Sequence, residues 1–282
     1  MARSLDKKWQ HWLLANLQRG CSPAELKQTL AKEGYGEAAI HKAFDELPDL
    51  GALAATAAKA SINVPNARRF ESSSIELYTA EDFLDASECA ELVVLVKTTL
   101  RPSTISTPPS GEADQLFRTS RTCDLIGGEG AIARLDAKIA RAMGIDPRFA
   151  ETSQGQCYEV GQEFKLHTDF FKDYELDRFS TPLWGQRTWT FMIYLNEPEG
   201  GGETRFDDLD LTVKPKQGMA LFWNNLTASG AGNHFTRHQG MPVTAGTKVI
   251  ITKWFRTART VSPVYTSVRI TWTQGAKTAQ RG

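Results

Sequence analysis

The feature that most constrains the fold of this chain is a series of short strand patterns between residues 156 and 255. They are alternating or apolar runs, and glycine-rich turns such as Gly200-Gly201-Gly202 separate several of them. Many short strands at this spacing are typical of a β-sandwich or barrel. Helical patterns precede the strands rather than alternating with them, which disfavours a parallel Rossmann-type sheet. The predicted strands are 156–160, 165–167, 188–195, 211–213, 219–223, 234–238 and 248–255.

A separate helical pattern covers residues 4–49. The second of its three helices begins at Ser22-Pro23, where Glu25 completes a capping box, and it ends near Gly34. Three short amphipathic helices can bury one small core, and the set faintly resembles a ubiquitin-associated-type module. A general adaptor or oligomerisation module is the alternative. The apolar positions of the three helices are Leu5, Trp9, Trp12, Leu13, Leu17, Leu26, Leu30, Ile40, Ala43, Phe44 and Leu47.

Composition divides the chain into four predicted segments. The helical module, residues 1–49, is followed by residues 50–74, which are rich in alanine and serine like a linker. Residues 75–257 carry two further helical patterns and the strand series, so they form the predicted main domain, mainly β with supporting helices. Residues 258–282 are a C-terminal extension whose alternating pattern suits an edge strand or a contact with another subunit.

Charge and composition limit the partners of the chain. Lysine and arginine number 33, as do aspartate and glutamate, so the net charge predicts neither nucleic acid nor an anionic membrane as a partner. No apolar run reaches the length that spans a bilayer, and the polar start shows no secretory signal. The four cysteines form no Cys-x-x-Cys pair, which is typical of free thiols in a reducing cytoplasm. We therefore expect a cytoplasmic protein.

The pair His167-x-Asp169 is the first chemical signal. Residues two apart in a strand point to the same face of a sheet. An imidazole and a carboxylate on one face are two thirds of the triad that holds non-haem Fe(II) with open positions. Alone, such a pair is more often a pair of surface polar residues, so a second histidine and a cosubstrate anchor are needed.

Two downstream histidines, His234 and His238, are candidates for the third ligand. Ten residues after His238, beyond the turn Thr244-Ala245-Gly246, stands Lys248. A strand, a turn and a returning strand bring that lysine back beside the metal, where its ammonium suits the far carboxylate of a dicarboxylate cosubstrate. His234 has no lysine at the same offset. The pattern therefore favours His238 and leaves His234 near the substrate or on the surface.

Many motifs in one order give the chain a family resemblance over about residues 75–257. The region closely resembles the prolyl 4-hydroxylase family of Fe(II)/2-oxoglutarate-dependent dioxygenases, which implies a double-stranded β-helix, or jelly roll. Earlier segments around Phe83-Leu84 and Arg118-Thr119-Ser120 fit as well. The motifs are Tyr158-x-x-Gly161-x-x-Phe164-x-x-His167-x-Asp169, Gly185-Gln186-Arg187, Tyr194-Leu195-Asn196, Gly201-Gly202-Glu203-Thr204-x-Phe206, Pro215-x-x-Gly218, His238-x-Gly240-x-Pro242-Val243, Gly246-x-Lys248 and Thr252-Lys253-Trp254.

The resemblance also implies roles for individual residues. It implies that His167, Asp169 and His238 bind Fe(II). It also implies that Lys248, Tyr158 and Thr204 contact 2-oxoglutarate. Arg187 and Trp254 match positions that contact the peptidyl proline. Phe164 departs from the pattern, because many members have tyrosine there and a phenyl ring lacks the hydroxyl donor.

A metal-binding oxidoreductase is thus the predicted function. With O2 as cosubstrate and ascorbate as a supportive reductant, the implied reaction couples decarboxylation of 2-oxoglutarate to hydroxylation of a prolyl residue in a protein or peptide. A carboxylate at Asp169 favours hydroxylation over halogenation. We expect the N-terminal helices to help choose the partner and the loops at about 101–120 and 170–186 to act as lids. The alternatives are a hydroxylase of a free amino acid or other small molecule and an inactive peptide-binding module; a nucleic-acid dioxygenase and a zinc hydrolase are weaker.

Overall fold

The computed structural model describes Leu5, Trp9, Leu13 and residues 23–45, 62–103, 117–126, 129–172 and 185–257. These residues include the helices α1 (Pro23–Lys32) and α2 (Glu37–Asp45), the strands β1 (Ala67–Arg69) and β2 (Leu77–Ala80), the helix α3 (Ala86–Thr98), the strands β3 (Arg101–Pro102) and β4 (Arg121–Leu125) and the helix α4 (Gly130–Met143). The strands that follow are β5 (Ser153–Tyr158), β6 (Phe164–His167), β7 (Arg187–Tyr194), β8 (Gly200–Gly201), β9 (Thr204–Phe206), β10 (Leu211–Val213), β11 (Ala220–Asn224), β12 (His238–Gly240), β13 (Val243–Ala245) and β14 (Lys248–Arg256).

The strands form two main antiparallel sheets and one short pair. The large sheet has eight strands in the order β1-β2-β11-β7-β14-β5-β4-β3, and the small sheet has four in the order β10-β9-β12-β6. The pair is β13-β8. One apolar cluster joins residues of both sheets, including Phe206 of the small sheet and Met192, Trp223 and Ile250 of the large sheet. The two sheets therefore face each other across a shared core.

Strand β7 shows why the centre of the large sheet is nearly continuous in apolar residues. It lies between β11 and β14, and seven of its eight residues are buried. Successive side chains point to opposite faces. Phe191 and Ile193 join the cluster that contains the helices, whereas Met192 and Tyr194 join the cluster shared with the small sheet. A strand covered on both faces loses the polar alternation of an exposed strand.

Helices α3 and α4 cover the face of the large sheet opposite the small sheet. Helix α3 begins with a capping box, in which the Asp85 carboxylate accepts from the Glu88 backbone N–H and the Glu88 carboxylate accepts from that of Asp85. Leu92 of α3 and Ile139 of α4 are buried in one cluster with Phe191 of the sheet. This arrangement of helices on one side of a jelly roll is the predicted fold class, which is confirmed.

Two local predictions differ from the structure. Part of the predicted linker 50–74 is packed, since β1 pairs with β2 and Val64 is buried in the core. Residues 234–238 are not one strand, because a 3-10 helix spans His234–Thr236 and β12 begins at His238. The Asn233 side chain caps that helix by accepting from the backbone N–H of Phe235, which ends the extended conformation.

The N-terminal residues that the structure describes form a small core of their own. Leu26 and Leu30 of α1 and Ile40 of α2 are buried together with Leu5 and Leu13. Most of the predicted first helix and the Ser22 cap lie outside the described residues, so the three-helix arrangement and the four-segment division stay predictions. Across the described ranges, no helix has both the length and the apolar character needed to cross a membrane.

Candidate metal and cosubstrate site

The three predicted ligands converge at the edge of the small sheet. His167 ends β6, Asp169 follows two residues later, and His238 begins β12. Strands β6 and β12 are neighbours, and their register places His238 directly opposite His167. One ligand atom from each of the three side chains lies within 4.8 Å of the others. This arrangement offers two nitrogens and one carboxylate oxygen to a single ion.

Backbone carbonyls orient both imidazoles. Nδ1 of His167 lies 2.8 Å from the carbonyl oxygen of Lys165, and Nδ1 of His238 lies 2.9 Å from that of Thr236. A carbonyl oxygen only accepts, so each Nδ1 carries the proton and each Nε2 keeps its lone pair. This outer hydrogen bond is the usual partner of a metal-binding histidine. The tautomer of both rings therefore suits metal binding through Nε2.

Burial and neighbouring charges set the protonation of the cluster. Burial, together with the nearby His238, lowers the pKa of His167 to about 3. Burial by itself raises the pKa of Asp169, but His238 and His167 outweigh it and the net direction is down. At neutral pH, His167 is thus a neutral imidazole and Asp169 a carboxylate, which are the protonation states a metal requires.

A buried lysine lines the same cavity. Lys248 begins β14 and is only 2% exposed. Its Nζ lies 5.2 Å from the ring centroid of Tyr158 and 5.6 Å from that of Tyr194. Among the residues the structure describes, no carboxylate forms an ion pair with it, and burial lowers its pKa to about 7 against the opposing charge of Glu203. A buried ammonium without a counter-ion is suited to receive an anionic ligand.

A glycine makes room for this lysine. Gly202 has a φ of +74°, and a Cβ atom there would lie 3.1 Å from Cδ of Lys248. The adjacent cavity has roughly 390 Å³ of empty space, which includes open solvent at its mouth. His167, Asp169 and His238 line it together with Lys248. The donor set and the separate ammonium therefore fit Fe(II) and a dicarboxylate such as 2-oxoglutarate.

Tyr158 and Thr204, the other two residues predicted at the cosubstrate, also line the cavity. The Tyr158 hydroxyl donates to Oε1 of Gln156 at 2.7 Å. The Tyr194 hydroxyl donates to Oγ1 of Thr204, also at 2.7 Å. Gln156 and Tyr194 were not predicted for the site. The signal for Gln156 was its position two residues before Tyr158, which places both side chains on one face of β5.

The residues predicted at the substrate occupy different positions. Trp254 and Phe164 line the cavity, and Phe164 stacks on the His167 ring with centroids 3.6 Å apart. Arg187 is not among the lining residues; it stacks over the Trp254 ring at 4.0 Å and binds the Glu151 carboxylate through Nε and a terminal nitrogen. Arg187 is thus placed to hold Trp254 from the side.

Of the two candidate histidines, the structure brings His238 into the cluster and not His234. The His234 ring packs edge-on against Phe170, with centroids 5.4 Å apart. The predicted lids lie mostly outside the described residues, which include only 101–103, 117–120, 170–172 and 185–186 of them. Thr190, Trp223 and Asn225 near the cluster were also not predicted from the sequence, because no local pattern marks them.

Comparison with known proteins agrees with this geometry. Residues 153–256 match the family model of the 2OG-Fe(II) oxygenase superfamily. Human prolyl 4-hydroxylase subunit alpha-1 is 35% identical over 175 residues, which are 61% of this chain and 33% of the human one. The alpha-2 subunit of Caenorhabditis elegans is 32% identical over 170 residues, or 60% of this chain and 32% of the worm protein.

Two solved structures are also similar. The viral collagen prolyl hydroxylase of Paramecium Bursaria Chlorella virus-1, in its 2OG complex, has a TM-score of 0.49 and 25% identity, and the match covers 64% of this chain and 94% of that one. A Pseudomonas putida prolyl-4-hydroxylase has a TM-score of 0.44 and 19% identity, over 73% of this chain and 97% of that one.

The jelly roll, its His-Asp-His cluster and the match of residues 153–256 all make this domain similar to the 2OG-Fe(II) oxygenase superfamily. Within that superfamily, the chain is similar to prolyl 4-hydroxylase alpha subunits over about 61% of its length. Fe(II) and 2-oxoglutarate, the predicted cofactors, are those of the superfamily. The chain spans about a third of the length of the prolyl 4-hydroxylase subunits that it matches.

Proposed function

We propose that this protein hydroxylates a prolyl residue of a protein or peptide at the expense of 2-oxoglutarate and O2. One observation carries the proposal: a His-Asp-His cluster lines one cavity together with a buried lysine that has no counter-ion among the described residues. In this proposal His167, Asp169 and His238 hold Fe(II). Relatives named as prolyl 4-hydroxylase subunits support the choice of substrate.

When bound, the metal supplies the oxidative chemistry, in which one oxygen atom of O2 enters succinate and the other enters the hydroxyl group, with release of CO2. The chain supplies position and charge. Lys248 pairs with the C5 carboxylate of 2-oxoglutarate, and Tyr158 and Thr204 hydrogen-bond the same molecule. Because the lysine is buried, its interaction with a carboxylate is strengthened by the low local dielectric.

At the mouth of the cavity, Trp254 offers an aromatic face to the pyrrolidine ring. Arg187 holds that indole by stacking on it, and Glu151 fixes the guanidinium with two hydrogen bonds. The Phe164 ring stacks on the His167 ring. It has no hydroxyl at the position where many members of the resembled family have a tyrosine. The proline is therefore selected by shape and aromatic contact more than by hydrogen bonding at this position.

The test is an incubation of the purified chain with Fe(II), 2-oxoglutarate, ascorbate and proline-containing peptides under air. We expect peptide-dependent succinate and one added oxygen on proline, located by fragment mass spectrometry. A peptide with alanine in place of proline and the Asp169→Ala variant serve as controls. Succinate formation that no peptide stimulates, but that a free amino acid does, would replace this proposal with a small-molecule hydroxylase. Peptide binding without any turnover would indicate an inactive binding module.

We also propose that the helical module around α1 and α2 selects the partner protein and that the enzyme acts in the cytoplasm. The module has its own core of leucines, which supports a separate role. Comparing full-length chain with a chain lacking residues 1–49 on whole-protein and short-peptide substrates tests the first part. A defect on whole proteins alone is expected. Microscopy of the tagged protein tests the second part.

A further inference from the structure

A chain of three buried hydrogen bonds ends on the carboxylate of Asp169. The Trp223 indole Nε1–H donates to Oδ1 of Asn225 at 2.9 Å, and Nδ2 of Asn225 donates to Oγ1 of Thr190 at 2.8 Å. The Thr190 hydroxyl then donates to Oδ2 of Asp169 at 2.7 Å. Trp223, Asn225 and Thr190 are each at most 1% exposed.

The direction of this chain follows from its first donor. An indole N–H only donates, so the oxygen of the Asn225 amide must face Trp223 and its nitrogen must face Thr190. The Thr190 oxygen therefore accepts from Asn225, and its single proton is left for Asp169. Backbone bonds hold Asn225 in place, since its N–H donates to the carbonyl of Thr188 and its carbonyl accepts from the N–H of Asn233.

These hydrogen bonds give the two carboxylate oxygens of Asp169 different partners. Oδ2 accepts from Thr190, whereas Oδ1 lies 3.7 Å from Nε2 of His167. The Trp223 ring also packs edge-on against His238, with centroids 4.8 Å apart. One indole thus contacts the His238 ring and begins the hydrogen bonds that reach Asp169.

We propose that Trp223, Asn225 and Thr190 are positioning residues that hold Asp169 with one oxygen, Oδ1, toward the metal. The inference rests on the proposed function, because it assumes that the cluster binds a divalent metal. A carboxylate that offers one oxygen uses one coordination position, which keeps the others open for cosubstrate and O2. Removing an outer partner of a metal ligand typically weakens metal binding by about 10- to 100-fold.

Co(II) provides a test that needs no turnover, because its visible absorption reports both affinity and coordination. We expect Thr190→Val, which keeps the shape but removes the hydroxyl, to weaken Co(II) binding by about 10- to 100-fold and to change the spectrum. Thr190→Ser restores the hydroxyl and should bind like wild type. Asn225→Asp gives an acceptor in place of the donor, so it draws the Thr190 proton away from Asp169 and should resemble Thr190→Val.

Thr188→Val is the matched control for the loss of a buried hydroxyl on the same strand. Thr188 is 2% exposed and donates to the carbonyl of Phe255, outside the hydrogen-bond chain. It should leave the Co(II) affinity and spectrum unchanged, while its apo melting temperature falls about as much as that of Thr190→Val. Equal Co(II) affinity in Thr190→Val and wild type, or equal weakening by Thr188→Val, overturns the inference alone. A wild-type protein that binds no divalent metal overturns the proposed function as well.

Discussion

Replacing Lys248 with methionine should make the protein more stable and at the same time weaken its binding of 2-oxoglutarate. Methionine fills much of the volume of a lysine side chain without its charge. Lys248 is 2% exposed, and no described carboxylate pairs with its ammonium. The folded protein without ligand therefore carries the cost of a buried amine that the unfolded chain leaves in water.

The pKa gives the size of that cost. Burial lowers the pKa of Lys248 to about 7 from an ordinary 10.5, so the unfolded chain binds more protons between these values. At pH 8, keeping the amine neutral costs about 3 kcal/mol of folding free energy. The cost is largest below pH 7 and disappears as pH approaches 10.5. The stability gain of Lys248→Met should follow the same course.

Lys253 on the same strand is a matched control, because its replacement by methionine should lower the stability rather than raise it. It is also fully buried, but its Nζ lies 2.7 Å from Oδ1 of Asp136. Lys253→Met removes the cation of a buried ion pair and leaves the Asp136 carboxylate, which still accepts from Ser153, without that positive charge, at a cost of about 3–5 kcal/mol. Two identical substitutions five positions apart in β14 should thus shift stability in opposite directions.

Urea denaturation followed by far-UV circular dichroism at pH 6.5, 8 and 9.5 measures the stability of all three proteins. Isothermal titration with 2-oxoglutarate and Mn(II) measures affinity, which Lys248→Met should lower at least about 30-fold because a charge-assisted pair of 2 kcal/mol or more is lost. A Lys248→Met protein that is less stable than wild type at every pH, or that keeps its affinity for 2-oxoglutarate, would refute the reasoning.

Other predictions concern pH and backbone geometry. Binding of 2-oxoglutarate should weaken as pH rises through the Lys248 pKa of about 7 and should take up protons, seen as a buffer-dependent heat in titration calorimetry. Gly218→Ala should cost more than about 2 kcal/mol in urea denaturation because its Cβ would overlap the Leu84 carbonyl at a φ of +76°, whereas Gly161→Ala, with a φ of +81° and open space, should cost about 1 kcal/mol. Although burial raises the pKa of Glu151, two arginines hold it at about 2, so Glu151→Gln should destabilise the protein at neutral pH, and the difference should vanish as acid titration passes from 4.5 toward 2.

The strand pattern and the His-x-Asp pair could be predicted because both depend on spacing along the chain. A period of two residues puts His167 and Asp169 on one side whatever the rest of the fold does. The central strand was found from its apolar run, and the observed β7 differs from the predicted 188–195 by one residue at each end. Residues 234–238 were wrong because a side-chain cap, which competes with strand pairing, has no periodic signature.

Spacing along the sequence also predicted Lys248, ten residues after His238, as the cosubstrate lysine. The burial and protonation of that lysine, however, depend on the tertiary structure. Only the packed structure surrounds the lysine with aromatic rings, with no carboxylate of the described residues paired to it. The hydrogen bonds from Trp223 to Asp169 depend on the register that sets Trp223 opposite Thr190, and Asn225 meets Thr190 across 35 residues of sequence. Strand register and the packing of the sheets determine such contacts between residues that are far apart in sequence. Local periodicity carries no information about either of them. The sequence by itself therefore determined the candidate metal ligands and the cosubstrate lysine. The tertiary structure decided their partners, protonation and orientation, and it added Thr190, Trp223 and Asn225, which no local pattern indicates.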